Sequence, residues 1–253
     1  EIAAGGFAAI YLVRDDSGNQ RILKESVLPQ ECDEATRERV KAQFVREATL
    51  LVRLSHPNIA RVFDHFVELG RNYLILEYIE GADLRAHVRQ HGRRSEEEAL
   101  RWAAEIAETL SYLHQQEPPI VHRDITPDNL VLSPSGKVVL IDFGAANEFV
   151  GTATGTLIGK QSYMAPEQIR GKASPPSDLY SLGATIYFLL SGKDPEPLGV
   201  ASIKAARADV SERTHQLIQD LTKLEQEQRI SSAEAVLARI AECRDGLSRV
   251  PAG

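Results

Sequence analysis

The chain has 253 residues, of which 43% are hydrophobic, and its formal net charge is -7 at pH 7. This length and composition suit one enzyme domain, or two tightly packed lobes, with a sizeable core. The acidic balance argues against a nucleic-acid partner, because a nucleic-acid surface is expected to carry a basic stripe.

The longest apolar stretch, around residues 179–190, is much shorter than the roughly 20 residues that a membrane span needs. We therefore expect this chain itself to make no membrane contact. Cys32 and Cys243 lie far apart without metal-ligand spacing, which favours a reducing, cytoplasmic setting. The alternative is the cytosolic domain of a larger, membrane-anchored protein. The chain starts at Glu1 without an initiator Met or a leader, so we expect a piece of a longer polypeptide whose first strand is truncated.

The N-terminal third predicts a small antiparallel sheet with one helix. Strands are predicted at 7–13, 21–24, 61–67 and 73–79. The turn-forming residues 15–19 join the first two strands and predict a hairpin. Apolar residues at helical spacing predict a helix over 34–54.

Glu47 lies on the apolar face of that predicted helix, between Phe44 and Ala48. Burying a carboxylate without a partner costs on the order of several kcal/mol, so Glu47 needs a cation. Lys24 is the candidate, because it ends an apolar strand run. Considered alone, each of the two residues is more often a solvated surface charge.

The remaining two thirds predict a helical unit. Ser95 with Glu98 predicts a capping box for a long amphipathic helix that stops before the Pro-Pro pair at 118–119. The stretch 179–190 is apolar on nearly all sides, which indicates a helix buried at the centre of this unit. Asp178 stands at its start, where the helix dipole favours a carboxylate.

The residues that carry chemistry follow the amphipathic helix. His122-Arg123-Asp124 is followed by Asn129 and then by Asp142-Phe143-Gly144. Apolar runs and turn residues between them predict a hairpin that would bring Asn129 and Asp142 together. A carboxylate and an amide oxygen, with no Cys or His, form a hard-oxygen site suited to Mg²⁺ carrying nucleotide phosphates.

In this order and spacing the motifs resemble the catalytic and magnesium loops of eukaryotic-type protein serine/threonine kinases, in particular the bacterial group. The resemblance runs from a Gly-rich strand to a final helix at 231–243 and includes Ala165-Pro166-Glu167. It implies an α+β, bilobal protein-kinase-like fold over residues 1–253. A small antiparallel-β N-lobe with one main helix (1–79) would precede a larger, mainly α-helical C-lobe (80–253).

The resemblance implies transfer of the ATP γ-phosphoryl group to Ser/Thr hydroxyls of protein substrates. Asp124 would orient the acceptor hydroxyl. Lys24, paired with Glu47, would neutralise phosphate charge. Asn129 and Asp142 would hold Mg²⁺, for which Mn²⁺ is a substitute.

Further roles implied by the resemblance are structural. Asp178 would hold the backbone of the His-Arg-Asp loop, and Glu167 would form an ion pair with Arg229. His122 is expected to pack and hydrogen-bond and not to act as a base.

A set of nucleotide-binding positions is also implied. These are Ile2, Gly5, Gly6, Phe7, Ile10, Ile22, Lys24, Leu76, Glu77, Ile79, Asp83, Asn129, Val131 and Asp142. Of the three glycines in the family's Gly-rich loop only Gly5 is retained, while Ala3 and Ala8 replace the others, which predicts a stiffer phosphate lid. Ile22 replaces a usually small residue and should narrow the adenine slot.

One pair of active-site residues is exchanged relative to the family. The Lys usual two residues after the catalytic Asp is Thr126, and the Thr usual in the substrate-binding loop is Lys160. The resemblance implies contact between these positions, so Lys160 would supply the ammonium that Thr126 lacks. The alternative is that Lys160 is a surface lysine and the site has one cation fewer.

Residues 145–164 resemble an activation segment. Arg123 would bind a phosphate placed on a hydroxyl of this segment and so order it. The candidate hydroxyls are those of Thr152, Thr154, Thr156 and Ser162.

Two other functions are alternatives to a kinase within a longer signalling polypeptide. A pseudokinase, which binds nucleotide but signals by conformation, is favoured by Ala3, Ala8 and Thr126. The intact catalytic set from Lys24 to Asp142 opposes it. A small-molecule kinase is disfavoured by Ala165-Pro166-Glu167 and the activation segment, which serve peptide substrates.

Overall fold

The structure is a computed structural model that describes residues 3–5, 8–27, 33–143 and 160–248. The chain divides into two compact units. The first comprises residues 1–79 with 143–158, and the second comprises residues 80–142 with 159–253. Their content, an antiparallel sheet with a helix in one and mainly helices in the other, confirms the expected α+β fold class.

A five-stranded antiparallel sheet of order β1-β2-β3-β5-β4 forms the first unit. Its strands are β1 (Ala3–Gly5), β2 (Ala8–Arg14), β3 (Gln20–Val27), β4 (Val62–Glu68) and β5 (Arg71–Glu77). The β2–β3 turn forms because the Asp15 carboxylate accepts hydrogen bonds from the backbone N–H groups of Ser17 and Asn19, at 3.0 and 2.9 Å.

Helix α1 (Glu34–Val52) buries Phe44, Ala48 and Leu51, the apolar residues at helical spacing, and packs on β4. It ends two residues before its predicted end. Strand β5 also ends early, at Glu77. The Glu77 backbone N–H donates to the Arg61 carbonyl at 2.8 Å, which continues the antiparallel pairing of β4 with β5.

The second unit contains seven helices and a small sheet among the described residues. They are β6 (Ala82–Asp83), α2 (Leu84–His91), α3 (Glu96–His114), β7 (Leu130–Leu132), β8 (Val138–Leu140), α4 (Pro166–Ile169), α5 (Pro175–Ser191), α6 (Ile203–Ala206), α7 (Glu212–Leu221) and α8 (Ala233–Ser248). Side chains cap the early helices: Asp83 accepts from the Ala86 N–H at 2.7 Å, and Ser95 accepts from the Glu98 N–H at 3.1 Å.

Helix α5 lies at the centre of this unit, as its apolar sequence predicts, and packs against α3 and α7. Gly183 allows the close approach of α7, since a Cβ there would lie 2.6 Å from Leu221 Cβ. The last helix, α8, continues five residues beyond its predicted end at Cys243. Of the helices described here, none is long and apolar enough to cross a membrane.

Candidate active site

The loop that carries Asp124 is held in place by Asp178 of helix α5. The Asp178 carboxylate accepts hydrogen bonds from the backbone N–H groups of His122 and Arg123, at 2.8 and 2.7 Å. Asp178 is fully buried, and His114 Nε2 lies 2.9 Å from the same carboxylate. A buried carboxylate with these partners holds the loop backbone in one position.

His122 is a neutral, structural imidazole. Burial lowers its pKa, although the carboxylates of Asp178, Asp124 and Asp142 and a hydrogen bond with the Asp142 backbone act in the opposite direction. Its Nδ1 accepts the Asp124 backbone N–H at 3.2 Å. The ring therefore holds the backbone of the residue that follows Arg123, and the expectation that His122 does not act as a base stays a prediction.

Arg123 has a left-handed backbone conformation, with φ of 69°, which non-glycine residues seldom adopt. Its carbonyl accepts a hydrogen bond from Gln168 Nε2 at 2.6 Å. Gln168 belongs to α4, so the loop is held from a second side. Strained backbone of this kind persists where surrounding contacts over-determine it, as they do here.

The predicted hairpin is present and brings the backbones of Asn129 and Asp142 close together. Strands β7 and β8 pair in register, and the Ile141 N–H donates to the Asn129 carbonyl at 3.0 Å, which places Asp142 beside Asn129. Asn129 Nδ2 donates to the Asp124 carbonyl at 2.9 Å. This bond uses the amide nitrogen and leaves the amide oxygen available to a metal ion. The donor set suits Mg²⁺.

One face of α5 holds both the Asp124 loop and the segment around Tyr163. Asp178, Ser181 and Thr185 are spaced three and four residues apart and so share a helix face. Ser181 Oγ donates to the Tyr163 carbonyl at 2.7 Å, and Thr185 Oγ1 donates to the Ile125 carbonyl at 3.3 Å. The few polar side chains of an otherwise apolar helix thus bind these segments.

Glu167 and Arg229 form the ion pair expected from the resemblance, with an N···O distance of 2.7 Å. The Arg229 side chain is fully buried and also donates to the Pro176 carbonyl at 2.8 Å. Burial raises the pKa of Glu167, but hydrogen bonds from Arg229 and Ser177 outweigh this, and the net pKa lies below its usual value.

In the first unit, Lys24 lies in the middle of β3 and not at its end, and is 6% exposed. It pairs in register with Ile10, and Ile22 pairs with Leu76, so these four candidate residues share one face of the sheet. Glu47 is half-buried on α1, where Gln43 Nε2 donates to it at 3.1 Å. The Lys24–Glu47 pair stays a prediction.

The other nucleotide-binding candidates are placed as follows. Gly5 ends β1, and Glu77 ends β5, two residues before Ile79. Asp83 and Val131 are register partners in the small sheet of the second unit, so the structure brings them together. Ile2, Gly6 and Phe7 lie outside the described residues.

Thr126 is 2% exposed, and its buried hydroxyl has no hydrogen-bond partner within the described residues. Lys160 begins a 3₁₀ helix, Lys160–Tyr163, and its side chain lies outside the described part. Ser162 in that helix is only 6% exposed, which weighs against it as an accessible phosphorylation site in this conformation. The candidates Thr152, Thr154 and Thr156 lie outside the described residues.

Sequence reasoning missed a cluster around Arg85 on α2. Arg85 Nε lies 2.9 Å from both Asp128 carboxylate oxygens, and another guanidinium nitrogen lies 2.8 Å from Asp194. The Tyr163 hydroxyl donates to Asp194 at 2.5 Å. Burial and this hydrogen bond raise the pKa of Tyr163, so the hydroxyl stays a donor. The sequence offered no signal, since these partners are far apart along the chain and form no motif.

The anchored Asp124 loop, the neighbouring Asn129 and Asp142 and the fold are those of the protein-kinase class. The family described as protein kinase domain matches residues 1–239. The chain belongs to this family, and the family resemblance expected from the sequence is confirmed.

Individual relatives agree with this assignment. The probable serine/threonine-protein kinase pknA2 of Bifidobacterium longum is 34% identical over 77% of this chain and 26% of the relative. The solved PknI kinase domain of Mycobacterium tuberculosis is 26% identical with a TM-score of 0.77, covering 96% of this chain and 93% of that chain. Rad53 1-466, solved in complex with AMP-PNP, is 25% identical with a TM-score of 0.77, covering 94% and 62%.

Two of these three relatives are bacterial, in agreement with the expected group. None of the three names supports the pseudokinase alternative. The chain spans only 26% to 37% of the length of four curated bacterial relatives.

Proposed function

We propose that this chain is the catalytic domain of a serine/threonine protein kinase that transfers the γ-phosphoryl group of ATP to hydroxyls of protein substrates. The observation that carries the proposal is the Asp124 loop. Its backbone is fixed by Asp178, and its neighbour Asn129 is set beside Asp142. Phosphoryl transfer relies on such positioning and on electrostatic stabilisation more than on covalent chemistry.

Each proposed role follows from a side chain's chemistry. Asp124, which is 8% exposed, orients the acceptor hydroxyl and takes its proton. Asn129 and Asp142 hold Mg²⁺, which neutralises charge on the phosphate oxygens when bound. Lys24 provides a cation for the phosphates, with Glu47 as its partner.

The wider setting is also a proposal. The much greater length of the bacterial relatives supports a longer signalling polypeptide, of which this domain is the cytoplasmic kinase. The AMP-PNP in the Rad53 structure supports ATP as the nucleotide.

The purified chain, incubated with radiolabelled ATP, Mg²⁺ and myelin basic protein, tests the proposal directly. We expect label in the protein acceptor that depends on Mg²⁺, with phosphoserine or phosphothreonine after hydrolysis. Nucleotide binding without any transfer would support a pseudokinase instead. Transfer to small molecules alone would support a small-molecule kinase.

Autophosphorylation is expected on Thr152, Thr154 or Thr156, and less on Ser162, because Ser162 is buried. A phosphate on one of these threonines would bind Arg123 and order the segment by charge-assisted hydrogen bonds. Mass spectrometry of the protein after incubation with ATP locates the phosphate. Activation-segment control is ruled out if phosphate occurs only outside 145–164 and a variant lacking all four hydroxyls keeps full activity.

Replacing Lys160 by Ala is expected to reduce turnover by roughly 10- to 100-fold, or about 1.4 to 2.7 kcal/mol of transition-state stabilisation. The buried Thr126 hydroxyl has no hydrogen-bond partner within the described residues, so the Lys160 ammonium would supply one. The measurement is a double-mutant cycle on kcat/KM with Thr126→Lys, Lys160→Thr and the double variant.

Contacting residues couple, so the double variant should be more active than the product of the single effects. Lys137→Ala, a lysine exposed at the β7–β8 turn, is the control and should have wild-type kinetics. Strict additivity, or wild-type activity of Lys160→Ala, would show that Lys160 is a surface lysine.

A further inference from the structure

Arg85 connects two segments that the proposed function uses separately. Its Nε donates to both oxygens of Asp128, the residue before Asn129 in the Asp124 loop. Its terminal nitrogens donate to Asp194 at 2.8 Å and to the Tyr163 hydroxyl at 3.3 Å. Tyr163 ends the 3₁₀ helix that leads to α4. One guanidinium therefore contacts both the loop that bears Asp124 and the segment that bears Tyr163.

The side chains around Arg85 fix the orientation of its guanidinium. Its guanidinium lies over the Phe188 ring of α5, 4.8 Å from the ring centre, and 5.7 Å from the centre of the Tyr163 ring. The Arg85 side chain is 12% exposed. The aromatic rings and carboxylates around the Arg85 guanidinium restrict its orientation, so the geometry of its hydrogen bonds is well determined.

The charges require a cation at this place. Asp128 and Asp194 have side chains 46% and 39% exposed and bind the same guanidinium. Without a cation, two carboxylates this close would repel each other. Only a planar guanidinium provides donors in several fixed directions at once, whereas an ammonium is a point charge.

We propose that Arg85 is a positioning residue for the protein substrate, which fixes the Tyr163 segment relative to the Asp124 loop by binding Asp128, Asp194 and Tyr163 together. This inference rests on the proposed kinase function and adds to it. The Tyr163 segment belongs to the region that resembles the family's substrate-binding loop, and Arg85 bonds to none of the candidate nucleotide positions among its described partners. Loss of Arg85 should therefore weaken use of the protein acceptor and leave use of ATP unchanged.

The test compares Arg85→Met with Arg207→Met. Arg207 is a matched control, because its side chain is also 12% exposed and forms an ion pair, with Asp209, but it contacts neither segment among its described partners. Steady-state kinetics use ATP and myelin basic protein. We expect the KM for the protein to rise about 10-fold in Arg85→Met, the scale of lost hydrogen bonds to charged groups, with the KM for ATP within about twofold. Arg207→Met should change neither KM.

Tyr163→Phe is a second variant, which keeps the ring and removes only the hydroxyl bound by Arg85 and Asp194. It should raise the KM for the protein in the same direction, and the two changes together should be less than multiplicative, because they break one network. If Arg85→Met does not fold, the KM for the protein measured with Tyr163→Phe decides the test alone. An unchanged KM for the protein in the folded variants, or an equal rise in Arg207→Met, overturns the positioning role. Absence of transfer by the wild-type chain overturns the kinase function itself.

Discussion

Asp124→Asn is expected to reduce phosphorylation of a protein acceptor by more than about 100-fold, the scale for a positioned acid–base group. Asn keeps the size of the side chain but cannot accept the hydroxyl proton. The loop itself should be unchanged, since the bonds that hold it involve the Asp124 backbone N–H and carbonyl. The measurement is initial-rate incorporation of labelled phosphate at saturating Mg-ATP.

Lys24→Met should cause a loss of similar size for a different reason. It removes the cation proposed to neutralise phosphate charge and keeps an unbranched side chain of similar length. Asp16→Asn and Lys137→Met, both at exposed turns, are the matched controls and should retain wild-type rates. Wild-type turnover in both active-site variants would refute the kinase assignment.

Glu167→Gln is expected to lower the free energy of unfolding by about 3 kcal/mol, since it leaves the buried Arg229 guanidinium without its counter-charge. Arg229 keeps its bonds to the backbone carbonyls of Pro176 and Lys223, which places the effect near the low end for a broken buried pair. Urea unfolding followed by circular dichroism measures it. Asp209→Asn breaks the more exposed pair with Arg207 and should cost no more than about 1 kcal/mol.

The effect of Glu167→Gln should also depend on pH. The pKa of Glu167 is lowered in the folded chain, so the stability that the carboxylate contributes is complete above the pKa of the unfolded chain. That stability is lost as the pH falls through the lower folded pKa. The difference between wild type and variant should therefore be constant near neutral pH and shrink below about pH 4. A difference that grows on acidification would contradict the ion-pair account.

The order of the elements was predictable because local patterns decide it. Alternating and helical spacing of apolar residues placed the strands and helices, and the apolar character of 179–190 indicated the central helix α5. The ends were less certain. Strand β5 ends at Glu77, two residues before its predicted end, since strand ends depend on pairing with neighbouring strands and not on the local pattern alone.

The sequence alone identified the candidate groups for the chemistry, because Asp124, Asn129 and Asp142 stand in a motif whose order and spacing are specific. Only the tertiary structure decided how they are held. Asp178 reaches the backbone of His122 from 56 residues away, and Arg85 reaches Asp194 from 109 residues away. Such bonds depend on where folding brings distant elements, and a single guanidinium or carboxylate has no sequence pattern of its own. The motif therefore predicted the candidate chemical groups, whereas the contacts that position the loop depend on how distant helices pack.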